Sequence, residues 1–214
     1  MAIVFSTLFH KMKGKIGNLI LYNVKGQIRT RSNSEKISVP WSPAQELQQS
    51  RFRSAVFFYR VNQTTLLPKI WKIAARDMVM SGYNLFIREN MSVFNAEHSI
   101  GDYSVLHISQ GRLEFPQTLQ VSSYGRGEIR LMWANLLPKT SSNMSHRLHV
   151  VWLDGKGDFS LHVLSVADVS RRDEEAVLPL PEAGSKDLHL FVYFSNKEET
   201  QFSPDRYFFL PAIE

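Results

Sequence analysis

No cysteine occurs in the 214-residue chain. This absence removes disulfides, thiolate nucleophiles and thiolate metal sites together, and it leaves packing to hold the fold. A reducing compartment accords with it. Long apolar runs are missing too: no segment reaches the roughly 20 uninterrupted apolar residues that a membrane helix needs. The opening MAIVFSTLFHKMKG has an apolar patch with no basic residue ahead of it and no small-residue cleavage site behind it. Synthesis in the cytoplasm without a signal peptide is therefore expected, and a final place inside a larger particle is compatible with that.

Acidic residues are scarce at the front. Residues 1–97 hold 14 Lys and Arg against 5 Asp and Glu, a surplus of +9, whereas residues 98–214 hold 11 against 15, or −4. Such a split points to a polyanion partner for the front or to head-to-tail self-association, unless the halves neutralise each other within one molecule.

What is present reads as two regions. In GKIGNLILYNVKGQIRTRS (Gly14–Ser32), NLILY and QIRTR are strand-like runs around NVKG, the chemistry of a type I turn closed by a glycine bulge. Arg29 and Arg31, two apart, share one face of that hairpin. A helix begins at WSPAQ, with Ser42 as N-cap, Pro43 at the first helical position and Gln45 closing a capping box. Ala44, Leu47, Phe52, Ala55, Val56 and Tyr59 then supply its apolar face. Leu66 or Pro68 opens a second helical stretch, which Gly82 is placed to divide.

From Ser99 onward the pattern shifts to short alternating runs: YSVLHIS, TLQVSS, EIRLMW, RLHVVWL, FSLHVLS, EAVLPL, LHLFVYFS and RYFFL. YGRG, DGKGD, EAGSKD and SPD separate them. About seven such strands at this spacing are the mark of a β-sandwich. LMW, VVWL and LHLFVYF resemble the B, C and F strands of fibronectin III-like domains, which puts Trp133, Trp152 and Tyr193 in the core. The expected class is α+β: an N-terminal β-hairpin with two or three helices over residues 1–98, then a fibronectin III/immunoglobulin-like β-sandwich over residues 99–214.

Catalytic signals are absent. GKIGN precedes a strand and lacks the GKS/T ending of a phosphate loop. His146 and His149, three apart on a strand, point to opposite faces, and no HExxH motif is present. His162 and His189 could meet across paired strands, and solvent-facing positions on the sandwich explain them equally well. DEE at Asp173–Glu175 reads as a solvated run paired locally with Arg171 and Arg172. Asn62, Asn90 and Asn143 head glycosylation-type triplets, which matter only in a secreted chain. No catalytic residue, cofactor or metal is expected, and a non-enzymatic role follows.

The basic front remains. Lys13, Lys15, Lys25, Arg29 and Arg31 lie on or beside the hairpin, with Lys11 and Lys36 near by, and Arg51, Arg53 and Arg60 follow on the first helix. Tyr22, Trp41, Phe57 and Phe58 are interleaved with them. Lys13, Lys15, Lys25, Arg29, Arg31, Arg51 and Arg53 are the candidate partner-binding residues. The expected partner is protein, in a homo-oligomer or larger assembly. Nucleic acid is the alternative, and a carbohydrate-binding sandwich is a third reading that needs exposed Trp133, Trp152 and Tyr193.

Gly14-Lys15-x-Gly17, Lys25-Gly26, Arg29 or Arg31, Ser42-Pro43-Ala44-Gln45 with Gln48 and Phe52, and later Trp71 and Phe94-Asn95 form a pattern. The pattern resembles a family of similar length found mainly in Bacteroidota, with related openings in phage and prophage proteins. Gln49 stands where that family usually has an arginine. The resemblance implies a hairpin-and-helix front with a β-sandwich rear, and by association a component of a phage-like particle or surface structure; it implies no activity.

Overall fold

The computed structural model describes residues 2–4, 12–33, 40–96, 98–124, 127–135, 142–155, 159–164, 169–180 and 186–212. Lys11 and Lys36, and the centres of the YGRG, DGKGD and EAGSKD turns, lie outside these residues.

The anticipated hairpin is the middle of a four-stranded antiparallel sheet. Strands β1 (Ala2–Val4), β2 (Gly14–Ile16), β3 (Leu19–Val24) and β4 (Gln27–Ser32) lie in the order β1-β4-β3-β2. Val24 pairs with Gln27, so Lys25 and Gly26 alone make the β3–β4 turn, and both have positive φ, +48° and +84°. This is a type I′ turn, not the type I turn with bulge that NVKG suggests, because two positive-φ residues match the twist of the flanking strands. Asn23 Oδ1 accepts from Gly26 N at 2.9 Å.

Helix α1 (Pro43–Val61) starts as its sequence dictates: Ser42 Oγ accepts from Gln45 N, and Gln45 Oε1 accepts from Ser42 N. The second helical stretch is two helices, α2 (Leu67–Ala74) and α3 (Gly82–Asn90). Gly82 does not break a helix; it opens α3, with Ser81 as N-cap. Its lack of a side chain lets α3 approach the α2 backbone, since a Cβ there would sit 2.5 Å from Lys72 N.

Among the described residues, seven strands form the sandwich. One sheet is β5 (Thr118–Tyr124), β6 (Glu128–Ala134) and β9 (Glu175–Pro179) in the order β5-β6-β9. The other contains β7 (Arg147–Asp154), β8 (His162–Leu164), β10 (Leu188–Ser195) and β11 (Arg206–Leu210) in the order β11-β10-β7-β8. The fourth strand of the sandwich thus joins the third and not the fifth, as a fibronectin III-like arrangement requires, and LMW, VVWL and LHLFVYF fall on the second, third and sixth strands. The run YSVLHIS is not a strand. It is a short 3-10 turn at Tyr103–Val105 followed by extended chain.

Two cores meet at the β7/β10 sheet. Ile129, Leu131 and Trp133 pack between the sheets against Leu148, Val150, Trp152, Leu190 and Phe194. On the outer face, Val151, Leu153, Phe191 and Tyr193 pack against Phe58, Trp71 and Phe86 of the helices. β7 and β10 are therefore buried on both sides, which explains their near-continuous apolar sequences. The helices and the sandwich share this core across the 98/99 division.

Asn62 and Asn90, at the ends of α1 and α3, fasten that layer. Asn62 Nδ2 donates to Phe58 O at 2.9 Å and Phe159 O at 2.7 Å, and its Oδ1 accepts from Leu161 N at 2.7 Å. Asn90 Nδ2 donates to Phe86 O and His107 O, while its Oδ1 accepts from His107 N at 2.7 Å. Both amides are buried and fully engaged, so neither triplet offers a glycan acceptor.

Candidate partner-contact surface

Register sets the chemistry of the N-terminal sheet. Lys15 pairs with Ile20, Ile20 with Arg31 and Tyr22 with Arg29. Side chains opposite one another share a face, so Lys15, Arg29 and Arg31 lie together beside Tyr22. The opposite face carries Ile16, Leu19, Leu21 and Ile28. Only Ile28 is fully buried among the described side chains of the sheet; Ile16 and Leu19 are about half exposed.

Lys25 behaves differently from the other six candidates. Its Nζ donates to Ala75 O and Met78 O, both at 2.7 Å, at the C-terminal end of α2. Unpaired carbonyls and the negative end of the helix dipole favour a cation there. Lys25 thus fastens the turn of the sheet to the body, and this contact accompanies its unusual positive φ. Lys25→Ala is expected to loosen the sheet by about 1–2 kcal/mol, roughly a tenfold loss of amide protection, with the sandwich unchanged. Hydrogen exchange at Val24 and Gln27, read against Val192, checks this.

Lys13, Lys15, Arg31 and Arg53 are exposed, and Arg29 and Arg51 are half-buried. Arg29 Nη2 reaches Gln27 Oε1 at 3.4 Å, while the Nε atoms of Arg29 and Arg51 are buried without a hydrogen-bond partner. None of the seven candidate cations pairs with a carboxylate among the described residues. The ion pairs there run from Lys69–Glu199 and Arg112–Asp77 to Arg130–Glu175 and Lys186–Asp154, all on the helical layer or the sandwich. No hydrogen bond or ion pair joins the cations of the sheet to those of α1 among the described residues.

Two open hollows lie along α1: Trp41, Ala44, Gln45, Gln48 and Gln49 line one, and Phe52 with Tyr83, Asn84, Ile87, Arg88 and Met91 lines the other. Gln48 Nε2 meets Met91 Sδ at 3.8 Å between them. Trp41 is 52% exposed and Phe52 43%. The apolar face expected for α1 is thus covered only in its second half: Ala55, Phe58 and Tyr59 are buried, whereas Leu47 and Phe52 are not. Phe58 belongs to the core and leaves the list of aromatics interleaved with the cations. A sequence signal for the exposed half exists, because the step from Leu47 to Phe52 is five residues and breaks the three- and four-residue spacing of a buried stripe.

Among the described residues, His149 and Ser195 come close without forming an accessible nucleophile pair. His149 Nε2 and Ser195 Oγ lie 2.8 Å apart, but Ser195 is wholly buried and its hydroxyl donates to Asn196 O at 3.0 Å. No substrate carbonyl can reach it. Burial pushes the His149 pKa down to about 4. The unfolded chain then takes up a proton that the folded chain refuses. Stability contributed this way is intact above the unfolded value near 6.5 and falls by about 1.4 kcal/mol per pH unit toward pH 4. His149→Gln is expected to remove about 2–3 kcal/mol of that loss, seen as a smaller change in urea midpoint between pH 7 and pH 4.5.

His162 and His189 do not meet. β7 lies between their strands; His162 stacks on Trp152 and His189 on Tyr103. Among the described residues no three His, Asp or Glu side chains gather as metal ligands, and no helix is long and apolar enough to cross a membrane. Arg171 does not pair with DEE. It turns inward, with Nε donating to Asn135 Oδ1 at 2.7 Å and Nη1 to Glu114 O at 2.8 Å. Trp133, Trp152 and Tyr193 are 4%, 7% and 2% exposed, so they offer no platform for a sugar.

No protein-family model matches the sequence, and no curated protein matches it. Among solved structures, the chicken CNTN1 FN1–FN3 domains are similar at 14% identity over 50% of this chain and 34% of that chain, with a TM-score of 0.36. The fn3 domain of human contactin 1 gives 13% identity over 50% and 84%, TM-score 0.29. The third fibronectin III domain of human KIAA0343 protein gives 15% over 46% and 82%, TM-score 0.32. The match to the chicken protein spans about a third of that chain. These likenesses concern the fold alone and are too distant to carry an argument, which rests on strand order.

Proposed function

We propose that this chain is a non-enzymatic binding or assembly subunit that contacts a protein partner through its N-terminal sheet and first helix. The observation that carries this reading is the uncompensated charge of the front. The seven candidate cations have no carboxylate partner among the described residues, whereas Lys69, Arg112, Arg130 and Lys186 have one each. Along α1, Trp41 and Phe52 are exposed in open hollows, and arginine and large aromatics are the residues that dominate protein interfaces. An acidic surface on a neighbouring copy, as the −4 rear supplies, is the partner of choice. A phage-like or surface assembly agrees with the resemblance of the opening residues.

The variant Lys15→Glu/Arg31→Glu/Arg53→Glu changes exposed side chains only and is expected to fold normally while losing self-association at least tenfold in sedimentation velocity. Retention of the wild-type oligomer would remove the front from the contact.

A second reading is favoured by one feature, the open sheet face that sets Tyr22 beside Arg29 and Arg31. A basic sheet with an aromatic side chain is a surface for single-stranded nucleic acid. If about six phosphates were neutralised, log affinity for a single strand would fall with log salt at a slope near −4, against about −5 for duplex DNA. A gel shift at low salt with no retained oligonucleotide would end this reading.

A further inference from the structure

A second basic surface lies on the sandwich, in residues the front does not include. Arg147 begins β7. The strand register puts it opposite Ser195 on one side, and a β-bridge puts it opposite Ser170 on the other. Arg172 follows Ser170 by two residues, and Lys197 follows Ser195 by two. Three neighbouring chain segments thus carry one cation each to the same concave site, a cavity of about 280 Å³ with Met144 and Val169 among its walls.

The side chains of Arg147, Arg172 and Lys197 make no hydrogen bond or ion pair among the described residues, and all three are exposed. The carboxylates near by hydrogen-bond to other groups, although the Arg147 charge also helps hold the Glu199 pKa down. Asp173 Oδ2 accepts from Ser170 N at 2.7 Å and Ser170 Oγ at 3.0 Å. Glu199 binds Lys69, and Glu175 binds Arg130. Beside Ser170 and Arg172, the buried Arg171 guanidinium donates to an amide and a backbone carbonyl, and the Glu114 carboxylate acts on it through its charge without a hydrogen bond. It therefore adds positive potential to the same end of the sandwich. Like charges gathered this way repel, and an anion relieves the repulsion. Arginine forks and an ammonium group match the oxygens of a tetrahedral oxyanion.

We infer that this cavity binds a doubly charged oxyanion, the phosphate or sulfate group of a small ligand. Two arginines supply paired N–H donors, the lysine supplies a mobile third point, and the space left over admits a substituent on the anion. The site is independent of the proposed contact surface and stands or falls without it.

The test is a titration of the full chain, followed by NMR of backbone amides and arginine Nε–H groups. Inorganic phosphate, inorganic sulfate and phosphoserine are added in separate arms, with chloride at matched ionic strength as the control. Binding on the order of 1–10 mM is expected, with shifts centred on Arg147, Arg172 and Lys197. Arg147→Gln/Arg172→Gln, made at exposed positions, should weaken it at least tenfold and leave the thermal midpoint unchanged. Phosphoserine binding tighter than inorganic phosphate would assign the site to an esterified ligand, and equal binding to the free ion; either supports the inference. Shifts reproduced by chloride, or unaltered in the double variant, would overturn it.

Discussion

Asn62→Ala is expected to cost about 4 kcal/mol of folding stability, a large part of what a domain of this kind has. The side chain is buried and makes three hydrogen bonds, two donated to Phe58 O and Phe159 O and one accepted from Leu161 N. Alanine removes all three partners at once. Phe159 O and Leu161 N then lose their bonds in a place water does not reach, and each buried orphan costs about 1–3 kcal/mol. The lost volume adds a small cavity between α1 and the segment leading to β8. Asn62→Asp separates the contributions, because it keeps the acceptor for Leu161 N while losing both donors and burying a charge. Urea unfolding would show the midpoint fall in both variants. A loss under 1 kcal/mol for alanine would mean that the segment before β8 is not held through this amide.

Gly82→Ala is expected to destabilise the helical layer by about 4 kcal/mol, above the usual cost of overpacking. The added methyl would lie 2.5 Å from Lys72 N, 2.6 Å from Trp71 C and 2.7 Å from Lys72 Cα. All three are backbone atoms of α2, so no side-chain rotation relieves the clash, and the two helices must separate. Separation would unpack Trp71 from Phe86, whose rings now meet edge to face at 5.4 Å. It would also disturb the end of α2, where Lys25 docks. Two effects are expected together: a lower thermal midpoint and reduced protection of the N-terminal sheet. Near wild-type stability would mean that α3 approaches α2 less closely.

Much of the rear of the molecule is legible in its sequence. Strands β6, β7 and β10 announce themselves because an apolar residue at every second position, or a continuous apolar run, has few other uses. The start of α1 is equally plain, since Ser42, Pro43 and Gln45 satisfy its free N–H groups by local chemistry alone. The misreadings have physical causes. YSVLHIS has the composition of a strand, and Leu106 and Ile108 are indeed buried. Side chains occupy its backbone: Asn90 accepts from His107 N, Asp205 from Ile108 N, and Trp71 donates to Ile108 O. No local pattern reveals hydrogen bonds made by residues so distant in sequence. Arg171 and Arg172 look equivalent beside DEE, yet Asn135 and the Glu114 carbonyl draw one of them inside.

At the front, local pattern finds the β3–β4 pair and the shared face of Arg29 and Arg31, then falls short. β1 and β2 have three residues each, too few to show a period. Lys25 reads as one more surface cation, and only the end of α2, some fifty residues on, distinguishes it. Leu47 and Phe52 read as core because composition marks a residue as apolar without saying whether anything covers it. Their exposure, hinted at only by the five-residue step between them, and that of Trp41 appear once the fold is in place.

Sedimentation velocity of the full chain at about 50 and 500 mM salt tests the central claim most directly, because screening weakens contacts between exposed charges. A self-associated species at low salt that dissociates toward monomer at high salt is the expected result. A monomer at both concentrations, with its N-terminal amides equally protected throughout, would contradict it.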